Sequence, residues 1–185
     1  MTLAVRPLAI PGIKLLTPKR FADTRGVFFE SFNAQAFTAA GLQTAWVQDN
    51  QSLSLKAGTV RGLHFQKPPH AQAKLISVLA GRIFDVAVDI RKSSPTFGRF
   101  VSVELDAETG AELFVPQGFA HGFCTLAPST LVMYKVDAHY APEADAGIFW
   151  ADEDIGIDWP VGRAQALLSP KDEKLPRLKD IATPF

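Results

Sequence analysis

Four histidines, His64, His70, His121 and His139, are the only imidazoles in the chain. Two of them lie in apolar runs punctuated by glycine: His64 in Val60-Arg61-Gly62-Leu63-His64-Phe65-Gln66, and His121 in Gly118-Phe119-Ala120-His121-Gly122-Phe123. An imidazole gains or loses a proton near neutral pH, so it suits general acid–base work or metal ligation. Arg25, Glu30, Arg61, Lys74 and Lys135 are charges set inside strand-like, mostly apolar segments. An unpaired charge in such a place costs several kcal/mol, and five of them point to a polar cavity inside the fold. Arginine and lysine around a cavity imply an anionic ligand, such as a phosphate ester. The two tyrosines, Tyr134 and Tyr140, fall in one late segment, Met133 to Tyr140. A phenol there can donate a proton, stack on a base, or simply pack as a half-buried strand aromatic.

The metal reading has a pattern behind it, because the spacing resembles the paired metal motifs of the cupin superfamily. Five residues separate Gly58 from His64 and Gly110 from Pro116, with Gly118 and His121 following at the expected offsets. The first motif, however, expects a second histidine where this chain has Gln66, a poor ligand. The ligand set is therefore depleted, and the likeness is read as one of fold, not metal.

The elements that must position these groups read as strands. Along 82–90, Phe84, Val86, Val88 and Ile90 alternate with Asp85, Ala87 and Asp89, and 100–105 repeats the pattern. Further strand-like runs cover 27–32, 44–55, 59–66, 74–80, 112–116, 121–126 and 130–137, with Gly- and Pro-bearing turns between them. In period two, His64 shares a face with Gly62 and Gln66, and Arg61 lies on the other. One helix is expected over 34–40, capped by Asn33 and stopped by Gly41; the tail from 151 reads as irregular. The expected fold class is all-β, a cupin-like jelly-roll barrel or sandwich with short flanking helices.

Composition sets the outer limits. At 185 residues the chain is expected to form a single domain over 1–185. Nineteen Lys and Arg against nineteen Asp and Glu argue against a coat for nucleic acid or an anionic membrane, both of which want a basic surplus. Cys124 stands alone, so there is no intrachain disulfide and no cysteine-based zinc site. The first eighteen residues carry no signal-peptide core, and no uncharged apolar window approaches eighteen residues. The expectation is a cytoplasmic globular protein.

The ordered stretches Asp23 to Glu30, Gln48 to Ser52, Arg61 to Gln66, Ala71 to Leu75, Phe84 to Arg91, Ser94 to Gly98, Val115 to Phe123, Tyr134-Lys135, Gly156 to Pro160 and Ser169 to Asp172 resemble the dTDP-4-dehydrorhamnose 3,5-epimerase family, over about residues 8 to 175. The resemblance implies inversion of a nucleotide-linked 4-keto-6-deoxy sugar at carbons 3 and 5, without metal or organic cofactor. It implies His64 as general base with Asp172 orienting it, Tyr134 as general acid on the opposite face, and Lys74 beside the enolate oxygen. Arg61, Gln48, Asn50, His121 and Lys171 would line the substrate site, and Tyr140 would stack on the thymine ring. Arg25 and Glu30 would contact the nucleotide end across a homodimer interface. One departure is Asp145, where the family usually has a glutamate, one methylene longer. Competing readings are a single-carbon epimerase of a related sugar, a non-catalytic sugar-binding jelly roll and a metal-dependent cupin oxygenase.

Overall fold

The computed structural model describes residues 3–42 and 45–185. Thirteen strands appear among them: β1 (Leu3–Pro7), β2 (Lys14–Pro18), β3 (Phe21–Asp23), β4 (Gly26–Phe28), β5 (Gln48–Ser54), β6 (Val60–Gln66), β7 (Lys74–Ala80), β8 (Arg82–Asp89), β9 (Phe100–Asp106), β10 (Glu112–Val115), β11 (Phe119–Thr125), β12 (Thr130–Val136) and β13 (Asp145–Gly147). A six-stranded sheet runs β1-β2-β10-β7-β12-β5, and a five-stranded sheet runs β13-β6-β11-β8-β9. Every pair in them is antiparallel, and non-consecutive strands lie side by side, the arrangement of a jelly-roll sandwich. β3 and β4 form a separate hairpin.

Alternation decides which face of each strand meets the other sheet. On β8, Ala87 and Ile83 join Ile76, Val78, Leu113 and Val132 of the facing sheet in the central core. Val86 and Val88 point outward, yet they are equally buried, because the chain after residue 148 folds back over them with Ile148, Ile155 and Leu178. Fully burying each such aliphatic side chain is worth roughly 1.5–3 kcal/mol, so both faces of β8 hold the sandwich together. Asp89, also buried, closes the end of this strand. It accepts from the Arg91 guanidinium (2.7 Å), the Ser94 hydroxyl (2.6 Å) and the Thr96 hydroxyl (2.6 Å), and these bonds hold its carboxyl well below the usual range despite burial.

The expected helix is present as α1 (Ala34–Ala39), where Asn33 accepts from the Ala36 N–H at 3.1 Å. It lays Phe37 on Leu16, Leu75 and Phe114 of the six-stranded sheet. The expectation for 27–32 needs correction: the strand ends at Phe28 and pairs with 21–23. The run expected over 44–55 is a strand from Gln48, and its first residue, Thr44, lies outside the described residues. Strands β1, β2 and β13 were not expected. The tail after 151 is irregular apart from short 3-10 turns at Asp172–Lys174 and Leu178–Asp180. Among the described residues no helix is long and apolar enough to cross a membrane.

Glu112 gives the fold a pH dependence. It is buried on β10, one oxygen accepts from the Ser77 hydroxyl at 2.6 Å, and the other has no partner. Burial pushes its carboxyl up to about 7 from an ordinary 4.5. Below pH 4.5 the group is neutral folded or unfolded. As pH rises towards 7 the unfolded chain releases the proton first, and stability falls by an amount on the order of 3 kcal/mol. Glu112→Gln should therefore melt near wild type at pH 5 but several degrees higher at pH 8. A melting difference that is the same at both pH values would count against the buried charge.

Candidate functional site

The sandwich is open at one end, between β6 and β11 on one side and β5, β7 and β12 on the other. A cavity of about 540 Å³ there is bordered by Arg61, His64, His121 and Phe123 of the five-stranded sheet and by Ser52, Lys74 and Tyr134 of the six-stranded one. A second lobe of about 200 Å³ is bordered by Gln48, Asn50, Tyr140 and Asp145. His64, Lys74, Tyr134 and Lys171 border both lobes.

His64 comes from β6, and its Nε2 lies 2.6 Å from Asp172 Oδ1. That contact leaves Nδ1 as the ring nitrogen able to exchange a proton with a ligand. Asp172 stands in the tail and is almost wholly buried. Burial alone would raise its carboxyl. The hydrogen bond and charge of His64, the Gly62 N–H and the Ser169 hydroxyl outweigh burial and hold it below the ordinary carboxylate range. Tyr134 comes from β12, in the opposite sheet. Burial keeps its phenol above the ordinary value, so it carries its proton at neutral pH.

Lys74, at the start of β7, is buried, and its Nζ donates to the His64 carbonyl at 3.3 Å. Burial pushes the ammonium down to about 8, while the carboxylates of Asp85 and Asp145 oppose that fall. Lys171 pairs with Asp145, which also accepts from the Tyr140 hydroxyl at 3.2 Å. Gln48 donates to Asn50 Oδ1 at 2.8 Å and accepts from the Tyr140 N–H at 3.0 Å. Tyr140 itself is 54% exposed at the mouth of the small lobe.

The period-two assignment of Arg61 to the face away from His64 is wrong. His121 pairs with His64 and Phe123 with Arg61, so three steps on β6 match two on β11. The extra residue is a bulge, which reverses the alternation and turns Arg61 and His64 to the same cavity. The bulge sits where two glycine backbones meet: a Cβ on Gly62, whose φ is +140°, would lie 2.5 Å from the Gly122 Cα. Arg61 then reaches β5, where its guanidinium donates to the Ser54 hydroxyl (3.2 Å) and the Leu53 carbonyl (3.3 Å).

The expected cavity charges divide. Arg61 and Lys74 line it; Lys135 lies on the outer face of β12, paired with Asp49 at 3.0 Å. Arg25 is on the exposed hairpin, bonded to Asp23 at 3.1 Å, and Glu30 follows it, also exposed; neither borders the cavity of its own chain. Gln66 is occupied with backbone: it donates to the carbonyls of His70 (2.7 Å) and His139 (3.2 Å) and accepts from the Ala141 N–H (2.8 Å). The residue that the sequence reading passed over is Asp85, fully buried beneath the cavity with Oδ1 2.7 Å from His121 Nε2. Its place in an alternating strand was legible, and its partner on β11 was not.

Comparison with known proteins agrees with this geometry. A sequence-family model described as dTDP-4-dehydrorhamnose 3,5-epimerase matches residues 7–180. A dTDP-4-dehydrorhamnose 3,5-epimerase from Sinorhizobium fredii is 49% identical over 178 residues, covering 96% of this chain and 91% of that protein. The crystal structure of a dTDP-4-dehydrorhamnose 3,5-epimerase from Bacillus anthracis, with TDP and PPi bound, superposes with a TM-score of 0.92 at 49% identity, covering 95% of this chain and 99% of that one. A dTDP-6-deoxy-D-glucose-3,5-epimerase from Legionella pneumophila, in complex with dTDP-4-keto-L-rhamnose, gives 0.93 at 43% identity, covering 98% and 95%.

The glycine contact should be the most sensitive point of the frame. Gly62→Ala should lower the melting temperature by roughly 4–8 °C, the equivalent of about 2 kcal/mol, and disturb Arg61 and His64 together. Differential scanning calorimetry measures the first effect. A variant that melts like wild type would show that the β6–β11 approach is slack.

Proposed function

The chain belongs to the dTDP-4-dehydrorhamnose 3,5-epimerase family, and we propose that its two-lobed cavity carries that reaction with His64 as base and Tyr134 as acid. The enzyme is an isomerase acting on a nucleotide-linked sugar, converting dTDP-4-dehydro-6-deoxy-D-glucose to dTDP-4-dehydro-L-rhamnose. The observation that carries the assignment of roles is that the imidazole and the phenol border one cavity from opposite sheets.

Carbons 3 and 5 both flank the keto group at carbon 4, and in the gluco chair their hydrogens are axial on the same face. One base can therefore reach both. His64 takes the proton, with Asp172 holding the imidazolium that forms. The electron pair of the broken C–H bond moves into an enolate whose charge rests on the carbon-4 oxygen in either inversion, so one cation, Lys74, serves both. Tyr134 then returns a proton to the opposite face. Each inversion loads a proton on His64 and empties Tyr134, and exchange with water resets both. Every step is a proton transfer, and side chains provide the base, the acid and the cation. Arg61, His121 and Lys171 are cationic or polar groups suited to the diphosphate, with Gln48, Asn50, Asp145 and Tyr140 at the second lobe. Binding energy from these remote contacts holds the ring while the protons move.

The reading extends to a homodimer of one-domain chains. The β3–β4 hairpin exposes Phe21 (55%), Val27 (47%) and Phe28 (69%), with Arg25 at its turn and Glu30 just beyond it. A second copy covering this hairpin would bury the apolar side chains and bring both charges towards a site. Phe21→Ser combined with Phe28→Ser should shift sedimentation from dimer to monomer without loss of the β spectrum; an unchanged sedimentation coefficient would remove the hairpin from the interface.

Proton NMR of dTDP-4-keto-6-deoxyglucose with the protein in deuterium oxide tests the chemistry. Wild type should exchange and invert carbons 3 and 5; exchange and inversion at one carbon only would make it a single-carbon epimerase. His64→Ala should lose deuterium uptake by ~10²-fold or more while still binding dTDP. Tyr134→Phe should slow inversion far more than exchange, because the base can return the proton to its original face. Equal losses would defeat the two-face scheme.

A further inference from the structure

His121 and His64 stand directly opposite each other on β11 and β6. Each has its Nε2 held by a buried carboxylate, His64 by Asp172 at 2.6 Å and His121 by Asp85 at 2.7 Å. The proposed mechanism uses the first pair and leaves the second unexplained. Asp85 is 0% exposed on β8, and its Oδ2 is buried without a partner among the described residues. A buried carboxylate oxygen left unbonded carries a desolvation cost on the order of 1–3 kcal/mol or more. Besides His121, its charge acts on Lys74. Of the charged groups acting on Lys74, Asp85 is the strongest, ahead of Asp145 and Lys171.

We propose that Asp85 is a positioning residue for two groups at the base of the cavity: it fixes the His121 ring through Nε2, and its charge keeps Lys74 an ammonium. The inference rests on the epimerase reading only for the use to which that ammonium is put. The rest follows from the charge balance. Lys74 is faced by His64 and Arg61 from β6, Asp85 from β8, His121 from β11 and Tyr134 from β12. Asp145 of β13 and the tail residues Lys171 and Asp172 complete its surroundings. Asp172 is engaged by His64, and Asp145 is paired with Lys171 and bonded by Tyr140. A diphosphate that draws Lys171 away also adds negative charge, so the carboxylate permanently assigned to Lys74 is Asp85.

Asp85→Asn keeps the shape and leaves an oxygen to accept from His121, and removes the charge alone. The Lys74 side chain, followed by ¹³C NMR at its ε-carbon in the substrate-free protein, should then titrate about one pH unit lower than in wild type. A midpoint moved from about 8 to about 7 would leave roughly one-tenth of Lys74 charged at pH 8 instead of half. Turnover at pH 8 should fall about fivefold, and the alkaline limb of the kcat profile should move down with the lysine, while KM changes little. Melting temperature should change little, since the bond to His121 is kept. An unmoved Lys74 midpoint, or a loss of melting temperature with an unmoved alkaline limb, would reduce Asp85 to a packing group and overturn the proposal. Should the variant fail to fold, the wild-type His121 ring decides. Its ¹⁵N shifts should show Nε2 protonated at every pH from 6 to 8, and a bare Nε2 would overturn it. The lysine titration and the ring shifts need no substrate, so a protein that failed to epimerise would leave both measurements intact.

Discussion

The contact between His64 and Asp172 spans 108 residues and joins the two halves of the site. An imidazole on a strand is easily positioned by the sheet, but its carboxylate partner comes from a tail with no regular structure. The tail must be docked before the pair can form. Thr59 and Leu167 form a parallel bridge, with the Val60 N–H on the Leu167 carbonyl at 2.9 Å and the Leu167 N–H on the Gly58 carbonyl at 2.9 Å. Further on, buried Asp152 accepts from the Leu178 N–H at 2.8 Å, and Trp159 donates to the Trp150 carbonyl at 2.8 Å. Cavity chemistry therefore depends on the outer face of the five-stranded sheet, where Val86, Val88 and Leu63 give the tail something apolar to cover.

The opposition of the two sheets supplies what the proposed two-face inversion requires. A group on β6 and a group on β12 cannot approach the same face of a ring held between them. The core behind the cavity, from Ile76 to Phe119, keeps the separation fixed, because close-packed side chains do not let two sheets slide or collapse. A stereochemical outcome is thus written into a packing distance. Lys74 stands between the two sheets, bonded to the His64 carbonyl of β6 while belonging to β7 of the six-stranded sheet.

Much of this was legible in residues alone. The alternation of 82–90 located β8 and its two faces, and Asn33 marked the start of α1, because both signals are local. Of the thirteen residues that the family resemblance named, eleven border the cavity, and Arg25 and Glu30 do not. The failures share a cause of the opposite kind. Arg61 and His64 were separated by a period-two rule that holds only while a strand pairs without interruption, and the bulge opposite Gly122 is a property of two strands 60 residues apart. Lys135 was placed inside because a charge in an apolar strand looks costly, yet its partner Asp49 lies on β5, next to β12. The short edge strand β1 and its neighbour β2 have their hydrophobic faces set by β10 and by each other, and little in their own five residues announces it.

The ion pair between Lys171 and Asp145 completes the logic of a site made for a charged ligand. A cavity lined by Arg61, Lys74, Lys171 and two imidazoles would be costly to keep empty of negative charge. Asp145, with the Tyr140 hydroxyl, balances Lys171 at the mouth, and Asp172 and Asp85 balance the histidines below. The two levels differ in permanence. The upper pair is solvent-touched, with side-chain exposures of 51% and 18%, so its partner exchange costs little, and an incoming diphosphate can compete for the lysine. The lower carboxylates are buried, with 4% and 0% of their side chains exposed, and nothing displaces them. Binding can thus rearrange charge at the rim while His64, and Lys74 beside it, keep the electrostatic surroundings they had before the ligand arrived.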